Sequence, residues 1–402
     1  TGTVTPKEIN MASAVNAVTK EYDGNSNYTG AITLKDTQPD DGIISGDSIA
    51  FTIVGNGTFK EADGNTTTVH AGGDHAAAKV SYTVQVSGSD ASNYKINDTT
   101  LADGTQVAGV VSDGTITKKA LNVSYDTTKP VLERVYNGVS AVVGGTITED
   151  DVRSRIIATG WVTGDEQTVV NTADYVNSTG TADSHVAVDT NGNVTTKNVR
   201  YLLNNLDDYT YSGTGLGTAN VSNTEYTTFT AANAGKITQK EVTVNFADIS
   251  KTYDGTTAWT DANKAYAKAH ATIEGVLSGD TVTLDTDNLQ GVYKSKNVAD
   301  YQGTDGTKNA VTYTNVSVVD STGNHDYIVP TGAMHGNGEV TKRSITADSD
   351  DFAIDWDSTA ITKTYDGNAK VKGATGYESD VYGTTPVTAT NFIDKLYAFG
   401  VT

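Results

Sequence analysis

The sequence predicts an all-β protein: tandem antiparallel, Ig-like β-sandwich modules strung into an elongated rod, some with a short helix. Three observations lead there. Short alternating runs of apolar and polar residues fill the 402-residue chain, the period of a strand with one face buried. Turn dipeptides built on glycine separate these runs. Four short signatures also recur in one order along the chain, which marks a repeat array.

The first signature is Lys20-Glu21-Tyr22-Asp23-Gly24, Arg134-Val135-Tyr136-Asn137-Gly138, Lys251-Thr252-Tyr253-Asp254-Gly255 and Lys363-Thr364-Tyr365-Asp366-Gly367. Its tyrosines stand 114, 117 and 112 residues apart. Before each comes Thr3-Val4-Thr5-Pro6-Lys7, Thr115-Ile116-Thr117-Lys118-Lys119, Lys236-Ile237-Thr238-Gln239-Lys240 or Glu339-Val340-Thr341-Lys342-Arg343. After it comes Ser45-Gly46-Asp47, Thr163-Gly164-Asp165 or Ser278-Gly279-Asp280. Ser92-Asn93-Tyr94, Asp207-Asp208-Tyr209 and His325-Asp326-Tyr327 close the modules. The markers divide the chain into module 1 at 3–116, module 2 at 117–237, module 3 at 238–340 and a partial module 4 at 341–402. In module 2 the third marker follows Trp161-Val162, and the chain stops at Gly400-Val401-Thr402, short of the Gly-Asp pair. We therefore expect a window from a longer array, or a last module that strands of another chain complete.

Module 3 sets out the elements in order. Val242–Phe246 alternates like a strand. Asp254-Gly255 is a turn pair whose glycine accepts positive φ, and Asn137-Gly138 replaces it in module 2, which points to a backbone requirement. Asp261–Ala269 reads as an Ala-rich helix with Asp261 as N-cap. Thr148–Arg153 has the look of a capping box, and Phe392–Tyr397 is helix-like in module 4. Module 1 has no such stretch, so the helix should be an ornament over a sheet edge. Strands resume at Thr281–Leu284, Gly291–Ser295, Ala310–Val318, Asp326–Val329 and Gly338–Thr341. That density of short strands reads as a sandwich, with a grasp-like sheet as the alternative.

Composition narrows the function. The chain has no cysteine, which excludes disulfides, Cys-based metal sites and cysteine nucleophiles. Its net charge of −21 repels phosphate, so nucleic acid is a poor partner. No stretch approaches the roughly 20 apolar residues of a spanning helix. The opening Thr1–Thr5 lacks the basic and apolar regions of an export signal, so any such signal or anchor is expected outside this segment.

The order of the motifs resembles the YDG-type repeats of large bacterial surface adhesins, including filamentous-haemagglutinin-like proteins. Module 3 fits best, with Lys251 to Thr257, Gly275 to Leu284 and Ser295-Lys296-Asn297-Val298. Module 2 departs at Asn137 but keeps Lys197-Asn198-Val199, and module 1 has Ala71-Gly72-Gly73 in that region. The resemblance implies an extracellular, β-rich stalk or adhesive fibre on a bacterial cell surface.

Candidate sites follow. The recurring Tyr-Asp-Gly, with Asn137 in module 2, reads as a buried ring anchoring a turn whose Asp bonds nearby N–H groups. Asp189, Asn191 and Asn193 resemble half of a calcium loop, but Arg200 stands where the closing glutamate belongs. Calcium is the one cofactor suited to them and to the other acidic spots, Asp40-Asp41, Asp207-Asp208, Asp285-Thr286-Asp287 and Asp348–Asp351. His70, Asp74 and His75 form a third metal-like group. Trp161, Trp259 and Trp356 fall outside equivalent motif positions, and Trp259 is the candidate for stacking on a sugar ring. No catalytic triad or phosphate loop is visible, so we expect no enzyme. The leading expectation is a stalk or spacer with a role in adhesion, partnered by adjoining repeats. A filament subunit completed by strand exchange between chains is one alternative. A module that binds glycan or a host surface protein is another.

Overall fold

The computed structural model describes residues 2–35, 42–221, 224–298 and 309–344, and the backbone of 353–354 and 396–397. The chain divides into two units, Thr1–Thr238 and Gln239–Thr402. Among the described residues it is mostly β.

Module 1 contains β1 (Lys7–Glu8), β2 (Val18–Glu21), β3 (Asn27–Tyr28), β4 (Ala50–Lys60), β5 (Lys79–Ser87), β6 (Tyr94–Ile96), β7 (Thr99–Thr100) and β8 (Gln106–Thr117). Its main sheet runs β2-β8-β5-β4-β3, and a small sheet runs β1-β6-β7. Module 2 contains β9 (Lys119–Tyr125), β10 (Leu132–Val135), α1 (Glu149–Arg153), β11 (Ile156–Thr159), β12 (Val170–Val176), β13 (Lys197–Leu203), β14 (Tyr209–Ser212), β15 (Leu216–Val221) and β16 (Thr224–Thr238). The main sheet is β10-β16-β13-β12, with β15 also on β16, and the small one is β11-β9-β14.

Module 3 contains β17 (Lys240–Glu241), β18 (Thr243–Asn245), β19 (Ile249–Thr252), α2 (Asp261–His270), β20 (Thr272–Glu274), β21 (Val282–Asp285), β22 (Gln290–Tyr293), β23 (Asn309–Thr314), β24 (Ser317–Asp320), β25 (Tyr327–Ile328) and β26 (Met334–Thr341). The main sheet is β19-β26-β23-β22, and β17-β25, β18-β20 and β21-β24 pair separately. The stretch expected as one strand over 310–318 is broken between β23 and β24, where Asn315 takes φ 55°. Beyond it, β27 (Ala353–Ile354) pairs antiparallel with β28 (Leu396–Tyr397).

The same four strands thus form the main sheet three times. The purely antiparallel expectation needs correction, because the opening strand is parallel to the closing one each time: β2 to β8, β10 to β16, β19 to β26. Likewise β1, β9 and β17 run parallel to β6, β14 and β25. Alternation reveals which face is buried, not which way a strand runs, and a long connection can return the chain in either sense.

Each main sheet buries an aromatic pair. In module 2 it is Tyr175 and Tyr201, in module 3 Tyr293 and Tyr313, and in module 1 Phe59 and Tyr82, all at most 2% exposed. In modules 2 and 3 a glycine of the closing strand lies under the outer tyrosine. A Cβ on Gly235 would meet the Tyr175 ring at 2.5 Å, and one on Gly338 the Tyr293 ring at 2.6 Å.

Both helices are N-capped by threonine. In α1 Thr148 and Asp151 form the expected capping box. In α2 the cap is Thr260 with Asn263, so Asp261 is the first helical residue and not the cap. Asn263 also donates from Nδ2 to the Ser250 carbonyl at 2.7 Å, which covers the edge strand β19. Leu396–Tyr397 is a strand where a helix was expected, because its backbone pairs with β27; Phe392–Lys395 lie outside the described residues.

Candidate functional site

The Tyr-Asp-Gly turns are built alike. Gly24, Gly138 and Gly255 take φ of 80°, 81° and 79°, a region any side chain resists. Tyr22, Tyr136 and Tyr253 donate their backbone N–H to the carbonyls of Thr117, Thr238 and Thr341 at 2.9, 2.8 and 2.9 Å. The first two markers therefore pair with each other across the module's ends.

The basic residue two positions before the tyrosine closes the turn from beneath. Lys251 Nζ donates to Asp254 Oδ1 at 2.8 Å and to the carbonyls of Thr256 and Ala258 at 2.8 and 2.7 Å. Lys20 does the same with Asp23 at 2.7 Å and the carbonyls of Asn25 and Asn27. In module 2 the Asp is Asn137, and Arg134 reaches the carbonyls of Val139 and Ala141 instead. Each cation lies over the aromatic of the fourth strand from the opening one: Lys20 over Phe59 at 5.5 Å, Arg134 over Tyr175 at 5.0 Å, Lys251 over Tyr293 at 5.4 Å. Sequence reasoning missed this role, although the basic residue belonged to the motif.

The last two markers also meet. Tyr94, Tyr209 and Tyr327 donate their hydroxyls to Asp47, Asp165 and Asp280 at 2.6 Å each. Each hydroxyl accepts from the backbone N–H of Ile44, Val162 or Leu277 at 2.8, 3.0 and 3.0 Å. Gly46, Gly164 and Gly279 take φ of 100°, 98° and 100°.

Within the first unit these parts assemble into a joint between modules 1 and 2. The Tyr22 hydroxyl donates to Asp165 Oδ2 at 2.7 Å, the oxygen that Tyr209 also uses. The two rings meet edge-on at 5.3 Å, and Trp161 stands 4.8 Å from Tyr209. Gly24 is in close contact here, since a Cβ would lie 2.9 Å from Val162 Cγ1. Asp208 accepts from the Ala71 N–H at 2.6 Å and faces His70 Nδ1 at 2.9 Å. Lys118 Nζ donates to the Leu206 carbonyl at 2.7 Å, and Lys119 pairs with Glu21 at 3.1 Å. Burial, then the Asp165 carboxylate, raises both tyrosines, Tyr209 to about 12 and Tyr22 beyond that. Both rings stay neutral donors at any physiological pH. Tyr22 is thus both an anchor of its own turn and one half of a contact with module 2.

The other candidates fall elsewhere. Asp189, Asn191 and Asn193 come together as a self-contained turn: Asp189 Oδ1 accepts from the N–H groups of Asn191 and Asn193 at 2.8 and 2.9 Å, and Oδ2 from Asn193 Nδ2 at 3.1 Å. Asp63, Asp126 and Asp320 cap turns in the same way. Among the described residues no three His, Cys, Asp or Glu side chains group as metal ligands. His75 pairs with Glu61 at 2.8 Å, away from His70's partner Asp208. Trp259 packs on Gly291 and stands edge-on to Tyr313 at 5.9 Å, half-buried on the main sheet. Lys197-Asn198-Val199 opens β13, whereas Lys296-Asn297-Val298 follows β22, so these two stretches are not equivalent. Tyr365, Asp366, Gly367, Trp356, Asp40-Asp41 and Asp348–Asp351 lie outside the described residues.

No curated protein and no solved structure matches the chain. The YDG domain family matches residues 5–101. Residues 5–101 are thus a YDG domain, and they hold the Tyr22 turn, the Asp47 loop and the closing Tyr94 whose counterparts recur in modules 2 and 3.

Proposed function

We propose that the chain is a non-enzymatic, tandem-repeat segment of a bacterial extracellular fibrous protein, serving as a stalk or spacer and bearing on adhesion. The observation that carries this reading is the joint between modules 1 and 2. A single residue, Lys118, separates β8 from β9, and the Tyr22–Asp165–Tyr209 cluster fixes what a loose linker would leave free. A spacer needs such joints, because a hinge at every module would let the array collapse. The acidic surface suits a long molecule that must stay soluble and apart from its neighbours. Its partners are adjoining repeats, and no cofactor is required.

Small-angle scattering tests the reading. A compact module of this size has a radius of gyration near 13 Å, so three in line should reach roughly 120 Å. We expect an elongated particle of about that length, and a compact particle would sink the stalk.

A further inference from the structure

We propose that the Tyr253-Asp254-Gly255 face of module 3 docks the Gly-Asp turn of a further YDG module, as Tyr22 docks Asp165. The proposal rests on the stalk reading and names the partner of that repeated site.

The face is the same device as the Tyr22 turn. Its glycine has the same φ, 79° against 80°. Its backbone anchor has the same length, 2.9 Å to Thr341 as to Thr117. The same lysine clamp holds it, with Lys251 on Asp254 at 2.8 Å and Lys20 on Asp23 at 2.7 Å. One thing differs. Tyr22 and Tyr136 are 5% and 4% exposed, while Tyr253 is half-buried. The Tyr22 hydroxyl donates to a carboxylate, and the Tyr253 hydroxyl has no partner among the described residues. A rigid turn therefore holds a hydroxyl donor and a half-buried ring that find no partner among the described residues.

The chemistry of the occupant follows from the joint in the first unit. It must offer a carboxylate already held by a second tyrosine, so that two phenols share one oxygen. It must also bring an aliphatic residue three positions ahead of that carboxylate, the place Val162 takes against Gly24. The motif Val/Leu/Ile-Ser/Thr-Gly-Asp with its closing tyrosine supplies both. A neutral phenol is the suitable donor in so acidic a chain, because it asks for no extra charge and loses little to salt.

The test inserts a second copy of residues 118–238 between Thr341 and Lys342, leaving the rest of the chain intact. Tyr253→Phe keeps the ring and removes only the hydroxyl, so folding is preserved. In the 402-residue chain it should change the unfolding equilibrium by less than about twofold, since no bond is lost. With the insertion it should cost about tenfold to a hundredfold, the range for a hydrogen bond to a charged group. Asp→Asn at the inserted copy of Asp165 should abolish that difference in a double-mutant cycle. No coupling between the two positions overturns the proposal. So does concentration-dependent self-association of the 402-residue chain that Tyr253→Phe or Asp47→Asn removes, because the docked turn would then come from a second copy and not from a module joined in tandem, as Asp165 is to Tyr22. Coupling with a compact scattering particle would sink the stalk reading and leave the docking intact.

Discussion

At the scale of single residues, the lysine of Lys-x-Tyr-Asp-Gly explains how Asn137 can stand in module 2 where the other copies have Asp. Lys251 is fully buried at its side chain, yet its ammonium satisfies two carbonyls and one carboxylate. Burying a charge is costly unless its donors find partners. Arg134 satisfies the same carbonyls in module 2 without a carboxylate, and there the Asp has become Asn137. The carbonyls are the constant partner, and the Asp is secondary. Lys251→Met should then cost about 1–3 kcal/mol, because two carbonyls lose their donor inside the turn. Asp254→Asn should cost far less, since its carboxylate is 41% exposed and water replaces the lysine. Urea unfolding of the two variants checks the order. Equal costs would mean that the ion pair, and not the carbonyl clamp, holds the turn.

At the scale of elements, the glycine in each closing strand decides how the sheet packs. Gly235 faces Lys197 in the β13–β16 ladder, where the register shifts before Val199. A methyl there would press on Tyr175 and Val199 at once, at 2.5 and 2.7 Å. Gly235→Ala should destabilise the first unit by about 1–3 kcal/mol through overpacking, read from its thermal unfolding. A neutral outcome would mean that Tyr175 can swing aside. That ring is held by its hydroxyl on the Leu132 carbonyl at 2.8 Å, so we expect it to resist. Elements of this kind were legible where the signal is local. Alternation placed β18, β21, β22 and β26, and Thr148 with Asp151 announced the cap of α1. The parallel return of β8 beside β2 was not legible, because strand direction leaves no mark on side-chain period. The joint was half legible. Tyr22, Asp165 and Tyr209 all stood in the recurring markers, but spacing along one module does not reveal that a tyrosine serves the next.

At the scale of the whole molecule, the markers make the array a molecule of buried phenols. Tyr82, Tyr175, Tyr209, Tyr211, Tyr313 and Tyr327 are all pushed up to about 12, in each case mainly by burial. Tyr22, Tyr201 and Tyr293 are raised further, again mainly by burial. In the unfolded chain these phenols ionise near 10. Below pH 10 both states hold the proton, and the stabilisation is fully present. Between roughly pH 10 and 12 the unfolded chain sheds protons that the folded chain keeps, so stability falls as pH rises, by the linkage of proton binding to folding. Phenolate absorbance and circular dichroism followed together across that range should therefore change in one cooperative step. Many of the 21 tyrosines sit in the main sheets and at the joint, so the absorbance should lag behind a free-tyrosine titration and then rise with loss of β structure. Tyr201→Phe should move that step to higher pH, since it removes a phenol raised by burial whose hydroxyl makes no hydrogen bond, whereas Tyr22→Phe and Tyr209→Phe also lose a bond to Asp165 and should lower stability at neutral pH. A gradual absorbance rise that begins at the free-tyrosine value while the β signal stays intact would show that the rings are open to solvent, and that neither the sheets nor the Asp165 joint is packed as described.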